Sequence, residues 1–260
     1  MRQLLSELLR IAELEIPKAQ ERLAAAIKRA DEFKGLVLHP PKVETPRHSA
    51  IDSGYVLVEY RYFKLYIVDI VVVSEKIINK TIFISLNRDK EININRKVRE
   101  LELEEAKRLD AYVLVDGPIS PYLAKAEGLI IGVSKDPVAA RYGPAVGGDA
   151  GRWFAEVASV ASELYAAELL LKGEPPGAML KPARVGPFLG TYVRGDSVFY
   201  VEFPPYVPEE VIASFFSRGY PIKLRLAHKY AKISGKYLET VKTIFPRFLE
   251  GVPNKYRDFL

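Results

Sequence analysis

The sequence predicts an α/β fold in which a mixed sheet is flanked by helices and preceded by a helical N-terminal arm. Residues 49 to 73 are rich in β-branched and aromatic side chains and contain no strong breaker after Gly54, as in consecutive strands. Residues 96 to 110 repeat apolar side chains at helical spacing, and residues 112 to 115 form a short apolar run that Gly-Pro ends. Strands that alternate with a helix in this way are typical of an α/β sheet.

The composition narrows the chemistry that the chain can carry. Its 260 residues are 48% hydrophobic, which is enough for a buried core and argues against disorder. Cysteine is absent, so disulfides, thiolate nucleophiles and cysteine-based zinc or iron–sulfur sites are excluded. A metal must therefore be held by carboxylates or by one of three histidines, His39, His48 and His228. The net charge of +5 is compatible with a polyanionic partner, although such an excess is also common in proteins that bind no nucleic acid.

The first 38 residues are predicted to form the helical arm, and residues 39 to 260 the main domain. Apolar side chains recur at helical spacing over residues 2 to 15 and again after Pro17, which should end the first helix and begin the second. The arm packs either on its own domain or on a second copy of the chain. Three prolines within residues 35 to 49 indicate an extended connector between arm and domain.

The N-terminal pattern argues against export. Glu7, Glu13 and Glu15 interrupt it, unlike a signal peptide. The most apolar long stretch, residues 55 to 73, contains four charged side chains that would be costly in a bilayer, so we expect a cytoplasmic protein without a membrane partner. The absence of cysteine, the scarcity of glutamine and the many charged residues are typical of a thermophile.

Two aspartates are placed where α/β sheets carry their chemistry. Asp116 ends the apolar run that precedes Gly117 and Pro118, and Asp52 follows an apolar pair and precedes Ser53 and Gly54. Both are expected at the ends of strands, where open α/β sheets bind ligands. Two carboxylates at the mouths of two strands indicate a site for a hard divalent cation, Mn²⁺ or Mg²⁺. The alternative is that both acids simply start turns, as aspartate commonly does before glycine or serine.

The helix over residues 96 to 110 carries a candidate third carboxylate. At about 100° per residue, its apolar side chains fall on one face, and Glu102 falls within that face, whereas Glu105 lies near its edge. A glutamate on the buried stripe, directly before the strand that ends in Asp116, could contribute to the metal site. The alternative is a rim residue that is paired with a lysine or an arginine.

The later part of the chain contributes candidate cationic residues. Residues 122 to 126 are expected to form a short helix, and the next strand should end just before Lys135, which could neutralise a phosphate. Arg141 lies in a glycine-rich segment that could approach a backbone phosphate but lacks the Walker motif. Residues 151 to 172 are predicted to form one long helix with Trp153 in the core, and residues 172 to 190 a long loop.

The C-terminal third should contain a hairpin and three helices. A hairpin is expected around residues 194 to 196, and a helix begins at Pro208. Residues 220 to 234 fit a strand or a helix opened by Pro221, and their length favours the helix. In that helix His228 could be a metal ligand, although a histidine on an apolar face is more often a satisfied core residue. A last helix is expected over residues 236 to 250.

The order of these features resembles the NurA nuclease family. The resemblance rests on an ordered set of segments from Ser49 to Ser234: IDSG, the extended β region, the helix with a buried glutamate, VDGPIS, the strand that ends in SKD, and YPIKLRLAH. It implies that residues 39 to 260 form an RNase H-like nuclease domain. It also implies a homodimeric, Mn²⁺-dependent (or Mg²⁺-dependent) DNA nuclease, a 5′–3′ exonuclease and single-strand endonuclease. Such a nuclease resects DNA ends with a hexameric HerA-type translocase in archaeal double-strand-break repair.

The resemblance also assigns site residues. It implies that the metal is bound by Asp52, by Asp116, by the glutamate that falls most plausibly on Glu102, and by His228. It further implies that Lys135 and Tyr220 assist catalysis by positioning the phosphate, and that His228 could act as a proton donor. The order Asp-Ser-Gly at positions 52 to 54 departs from the family, which more often has Asp-Gly-Ser, but the acid is retained.

Two other classes of protein could use the same turns. A non-catalytic DNA-binding adaptor of a motor ATPase would have the same fold but would have lost a metal acid, whereas both aspartates are present here. An actin-like or sugar-kinase-like phosphotransferase could use the DSG and DGP turns. It would require a glycine-rich phosphate loop and an adenosine-binding segment, and neither is evident.

Overall fold

The fold is described from a computed structural model that covers residues 7, 10–60, 63–87, 89–135, 137, 139–233 and 235–244. Its strands are β1 (Val37–Leu38), β2 (His48–Glu59), β3 (Phe63–Val73), β4 (Ile77–Asn87), β5 (Tyr112–Asp116), β6 (Ile130–Ser134), β7 (Met179–Leu180), β8 (Ala183–Val185), β9 (Phe188–Arg194) and β10 (Val198–Phe203). Its α-helices are α1 (Ile16–Lys28), α2 (Ile94–Ala106), α3 (Tyr142–Val146), α4 (Gly148–Ala158), α5 (Glu163–Leu170), α6 (Glu209–Phe216), α7 (Ile222–Tyr230) and α8 (Gly235–Ile244).

The chain divides into two compact units, each built from separate stretches of sequence. The first unit comprises Met1–Pro46, Gly117–Ala126 and Ile131–Tyr220. The second comprises Arg47–Asp116, Glu127–Ile130 and Pro221–Leu260.

The second unit contains a mixed sheet in the order β5-β2-β3-β4. β2 runs parallel to β5 and antiparallel to β3, and β3 runs antiparallel to β4. A meander whose first strand is joined by a parallel fourth strand is the RNase H-like arrangement. The predicted α/β class and the antiparallel pairing of the consecutive strands are therefore confirmed.

Helices cover β2 from two directions. Because side chains alternate along a strand, Asp52 and Gly54 point to one face and Ser53 and Tyr55 to the other. The first face carries α7, and the second carries α2, since the hydroxyl of Ser53 donates to Glu102 and that of Tyr55 donates to Asn95. The side chain of Asp52 therefore points toward α7, and that of Ser53 points toward α2.

The predicted position of Asp52 at a strand end is wrong. β2 is one strand of 12 residues that continues through Ser53 and Gly54 to Glu59. Gly54 thus lies inside the strand, and glycine is required there because a Cβ would lie 2.2 Å from the carbonyl oxygen of Ala231.

The first unit has a sheet in the order β1-β7-β9-β10-β6, with β8 paired to β9. The β9–β10 hairpin confirms the turn predicted at residues 194 to 196. Trp153 is fully buried, as predicted; its indole N–H donates to the carbonyl of Ala26 in α1 (2.8 Å), and its ring stacks on Phe33. This part of the arm therefore packs in cis, and Pro17 lies in the first turn of α1.

Three predictions in the first unit are wrong. Residues 122 to 126 form turns, not a helix. The helix predicted over residues 151 to 172 is two helices, because Ser162 accepts a hydrogen bond from the N–H of Tyr165 and starts α5. The loop predicted over residues 172 to 190 contains β7, β8 and the start of β9, strands too short to show an alternating pattern.

The predicted helices near the two ends are only partly described. Half of the first, over residues 2 to 15, lies outside the described residues, and Ile11–Glu15 form a π-helical turn. The last is α8, and residues 245 to 250 lie outside the described residues. Pro221 precedes α7, so the helical interpretation of residues 220 to 234 is confirmed.

Glu163 is a buried carboxylate that organises the start of α3. Its Oε2 accepts the N–H groups of Arg141 and Tyr142 and the hydroxyl of Tyr192, and its Oε1 accepts the N–H of Gly143 at 2.6 Å. Burial, with a further contribution from Glu163, raises the pKa of Tyr192, which keeps its hydroxyl a donor. We expect Glu163→Gln to lower the free energy of unfolding by about 1–3 kcal/mol, because an amide NH₂ cannot accept from one of these buried donors.

Urea unfolding monitored by circular dichroism measures this loss. Glu168→Gln is the matched control, since Glu168 lies on the same helix and is only half-buried. Equal unfolding midpoints for the two variants would contradict the prediction.

Candidate metal centre

Parallel pairing brings the two aspartates side by side. The register of β2 and β5 ends at Ile51 opposite Val115, so the next residue on each strand is Asp52 and Asp116. In a parallel pair, residues in register project in the same direction. One of these acids lies within its strand and the other ends its strand, yet their carboxyl groups meet.

Helix α7 supplies the third polar group. Nδ1 of His228 lies 2.8 Å from Oδ2 of Asp52 and 3.4 Å from Oδ2 of Asp116. The ammonium of Lys223, one turn earlier, donates to the carbonyl of His48 at the start of β2. At the other end of the helix, a Cβ built on Gly54 would lie 2.2 Å from the carbonyl oxygen of Ala231. Both ends of α7 are therefore held against β2, and His228 lies between them.

These three side chains fit a divalent cation. One ligand atom from each of Asp52, Asp116 and His228 lies within 4.8 Å of the others. Two carboxylate oxygens and an imidazole nitrogen suit Mn²⁺ better than a soft metal. His228 is 45% exposed, so it is not a core histidine and one side of the group is open to solvent.

The electrostatics of Asp52 also favour a cation. Burial, reinforced by the nearby charge of Asp116, raises the pKa of Asp52, and its hydrogen bonds to Ser53 and His228 only partly oppose this. Two like charges in a partly dry site disfavour each other's ionised form. A bound divalent cation would offset that repulsion.

Glu102 lies beside this group but is not one of its three members. It is 3% exposed, which confirms the predicted burial, and Oε2 accepts the hydroxyl of Ser53 at 3.1 Å. Nη1 of Arg99 lies 3.0 Å from Oε1. Glu102 is thus paired with an arginine, as the alternative interpretation expects, although at a buried position and not at the rim. Burial raises the pKa of Glu102 to about 8; the charge of Arg99 lowers it, and that of Asp52 raises it.

Arg99 and Ser53 are functional candidates that the sequence interpretation missed. Arg99 contacts Glu102 and donates to the main-chain carbonyl of Asp116, so one guanidinium links two of the acids. Its spacing of three residues from Glu102 on a helix was a usable signal. Ser53 follows Asp52 directly, so strand alternation predicts that it faces the opposite helix. Glu105, at the edge of the helical face, pairs with Lys80 and Arg108 instead.

Two further predicted site residues, Lys135 and Tyr220, contact each other in the first unit. The ammonium of Lys135, just beyond β6 as predicted, lies 4.3 Å from the ring centroid of Tyr220. Tyr220 is buried against the ring of Phe199, whereas Lys135 is exposed. The lysine charge is therefore held over an aromatic face.

Arg141 directly precedes α3 and does not lie in an open loop. Its Nη1 donates to the hydroxyl of Ser120 at 3.4 Å, and its Nε lies 4.0 Å from the carboxylate of Glu202. Glu202 is fully buried and accepts the N–H groups of Ile119 and Ser120. These contacts give Arg141 a structural role in the first unit. Among the described residues, no helix is both long and apolar enough to cross a membrane.

Comparison with known proteins identifies the fold. No family model and no curated protein matches the chain. The crystal structure of the NurA nuclease from Sulfolobus solfataricus matches with a TM-score of 0.61 at 15% identity, covering 96% of this chain and 98% of that one. NurA with manganese matches at 0.54 and 11% identity, covering 95% and 98% of the two chains. NurA bound to dAMP and manganese matches at 0.56 and 10% identity, covering 97% and 98%. The predicted resemblance is therefore confirmed at the level of architecture, and the chain has the fold of the NurA nucleases.

Proposed function

We propose that this protein is a metal-dependent DNA nuclease that hydrolyses phosphodiester bonds. The observation that carries the proposal is the convergence of Asp52, Asp116 and His228 within 4.8 Å. The fold adds support, since NurA structures with manganese and with dAMP and manganese share it. The sequence carries no cysteine, so the reaction needs no thiolate nucleophile.

The residues of the group have separate roles in this proposal. Asp52, Asp116 and His228 would bind Mn²⁺, or Mg²⁺ in its place. Glu102 would be the third carboxylate of this metal site. A metal ion held there would polarise a phosphoryl oxygen and lower the pKa of a bound water. Arg99 is a positioning residue, since it contacts Glu102 and the main chain of Asp116. His228 is partly exposed, and its alternative role in this proposal is to donate a proton to the leaving oxygen.

Lys135 and Tyr220 complete the catalytic set that we propose. Cation–π contact with Tyr220 holds the Lys135 ammonium in one place, which suits a point charge that must meet a phosphate. In this proposal Lys135 positions the scissile phosphate, and Tyr220, which is buried, acts through Lys135 as a positioning residue.

Incubation with end-labelled DNA tests the nuclease function. We expect cleavage with Mn²⁺, weaker cleavage with Mg²⁺ and none with EDTA. Digestion that is unaffected by EDTA would contradict a metal mechanism. Binding of nucleotides without any cleavage would favour a phosphotransferase instead.

Metal binding should be visible without activity. We expect Mn²⁺ at 100 times its Kd to stabilise the protein by about 2.7 kcal/mol, a rise in Tm of about 5–10 °C for a chain of this size. The measurement is thermal unfolding in Mn²⁺ and in EDTA. Asp116→Asn, which removes one ligand, should lose the shift, and a shift of the same size in that variant would contradict the assignment.

We propose the finer aspects of function on the NurA resemblance. The activity is that of a 5′–3′ exonuclease and single-strand endonuclease. It serves end resection with a hexameric HerA-type ATPase in double-strand-break repair by homologous recombination. The protein works in the cytoplasm as a homodimer. Ile78 and Phe83, which are 56% and 53% exposed on β4, favour a protein partner on that strand. Labels at the 5′ or 3′ end measure polarity, and co-elution with the ATPase measures the partnership.

A non-catalytic DNA-binding adaptor with the same fold is the alternative. It would need only the fold and a basic surface, and not a cluster of ligands. The Asp52–Asp116–His228 group favours the enzyme, and DNA binding without Mn²⁺-dependent cleavage would favour the adaptor.

A further inference from the structure

The first unit contains a groove between two Pro-Pro segments, which we call the diproline groove. It has a volume of about 420 Å³. One wall is residues 39 to 43 (HPPKV) and the opposite wall is residues 175 to 178 (PPGA). Its floor comes from the end of α6 and the turn that follows, with Ala213, Ser214, Ser217 and Arg218.

The groove is built rather than incidental. Nε2 of His39 lies 2.7 Å from Oε2 of Glu174, which joins the two Pro-Pro walls at one end. The hydroxyl of Thr45 donates to the carbonyl of Ser214 at 3.0 Å, which fastens the first wall to α6. Proline fixes φ and so stiffens both walls. A groove with stiff walls loses little conformational entropy when a ligand binds.

The charge of the groove selects an anion. Among the residues that the structure describes, the charged or titratable side chains that line it are His39, Lys42 and Arg218, and none of the lining side chains is acidic. The neighbouring acid, Glu174, is already held by His39. Among the described residues, neither Lys42 nor Arg218 forms an ion pair with an acidic side chain, and both are exposed, so their charges can meet a ligand. Focused positive charge in a concave site attracts phosphate or carboxylate.

The volume of the diproline groove and its apolar walls suit a ligand that is larger than a bare anion and partly apolar. A volume of about 420 Å³ falls in the range of small-ligand sites, about 300–1,000 Å³. Proline rings and Val43, which is 40% exposed, offer flat apolar surface beside the cations. A planar ring linked to a phosphate satisfies both features at once.

We propose that the diproline groove binds one nucleotide unit. Its phosphate is held by Lys42 and Arg218, and its base lies between the Pro-Pro walls. The unit is either a free nucleoside monophosphate or one nucleotide of a DNA strand. This inference rests on the proposed function, because a nuclease meets both: the strand as substrate and the monophosphate as product.

Isothermal titration calorimetry in EDTA tests the groove without the metal centre. The probes are dAMP, a short oligodeoxythymidylate and inorganic phosphate. We expect dAMP or the oligonucleotide to bind and the double variant Lys42→Ala/Arg218→Ala to bind at least about tenfold more weakly, since it loses both charged hydrogen bonds to the phosphate. Lys172→Ala is the matched control, because Lys172 is exposed and does not line the groove.

The outcomes separate the sources and the alternatives. Binding of dAMP but not of the oligonucleotide identifies a free monophosphate site, and binding of the oligonucleotide but not of dAMP identifies a strand site. Competition between the two shows that the groove takes a nucleotide unit from either source. Equal affinity in wild type and double variant overturns the proposal, and so does binding of inorganic phosphate as tight as that of dAMP. Polyglutamate binding that needs Lys42 and Arg218, with no nucleotide binding, also overturns it and identifies an acidic peptide. Because these assays contain EDTA, loss of nuclease activity leaves their result unchanged.

Discussion

Asp116→Asn is expected to abolish Mn²⁺-dependent DNA cleavage while leaving the protein folded. Asparagine keeps the shape of the side chain but removes the charge that Asp116 contributes beside Asp52 and His228. Loss of a group that stabilises charge at the reaction centre commonly costs about 10²–10³-fold in rate, and loss of the metal itself would cost more. End-labelled DNA with Mn²⁺ and with EDTA measures the effect.

The same variant should be at least as stable as wild type in EDTA. Burial is the main cause of the raised pKa of Asp52, and like-charge repulsion from Asp116 adds to it, so removing the charge of Asp116 relieves that repulsion in the metal-free protein. Asp110→Asn is the matched control, because Asp110 is an exposed acid just before β5. We expect the control to retain full cleavage. Asp116→Asn that still cleaves with Mn²⁺, or that unfolds in EDTA, would contradict the assigned role.

The strand-end position of Asp116 was predictable because its signals are local. An apolar β-branched run that ends at Gly117 and Pro118 permits few other structures. The burial of Glu102 was equally accessible, since helical periodicity places it among the apolar residues of α2. That Asp116 lies beside Asp52 depends on the parallel pairing of β2 with β5, and that Glu102 lies near them depends on the packing of α2 against β2; no local pattern encodes either. The strand-end interpretation and the NurA resemblance supplied the expectation, and the register of the two strands gives the physical cause for the two aspartates.

The role of Glu102 could not be decided from the sequence. A buried glutamate could have been a metal carboxylate or half of an ion pair. The structure pairs it with Arg99 and, through Ser53, places it next to the strand that carries Asp52. Both interpretations depend on which side chains converge from separate elements. Only the tertiary structure decides that, because helix spacing defines a face without naming what covers it.

Gly54 marks a second limit, because its importance comes from a helix more than 160 residues later in the chain. In the sequence it looked like the end of a strand. A Cβ added to Gly54 would point to the face of β2 that carries α7 and would lie 2.2 Å from the carbonyl oxygen of Ala231. The Asp-Gly-Ser order that the NurA family more often has would place a serine Cβ at this position. The order Asp-Ser-Gly therefore suits the close approach of α7 in this chain.

We expect Gly54→Ala to destabilise the protein and to weaken its metal centre together. The clash is with main-chain atoms, which cannot rotate away, so α7 must shift from β2. Overpacking of this kind lowers the free energy of unfolding by about 1–3 kcal/mol. Each kcal/mol lowers the Tm of a chain of this size by about 2–4 °C. His228 lies on α7 within one turn of Ala231, so its distance to Asp52 should lengthen. Altered support of a metal ligand commonly lowers metal affinity about 10–100-fold.

Thermal unfolding and Mn²⁺ titration of the same variant measure both effects. Gly35→Ala is the matched control, since a Cβ there would meet nothing within 4 Å and Gly35 does not have a positive φ. The double exchange Ser53→Gly/Gly54→Ser restores the order more common in the family and should be as destabilised as Gly54→Ala, because it also puts a Cβ against Ala231. A wild-type Tm and Mn²⁺ affinity for Gly54→Ala would mean that α7 does not hold His228 over Asp52 through this contact. The position of the histidine would then need another cause, such as the bond from Lys223 to His48 alone.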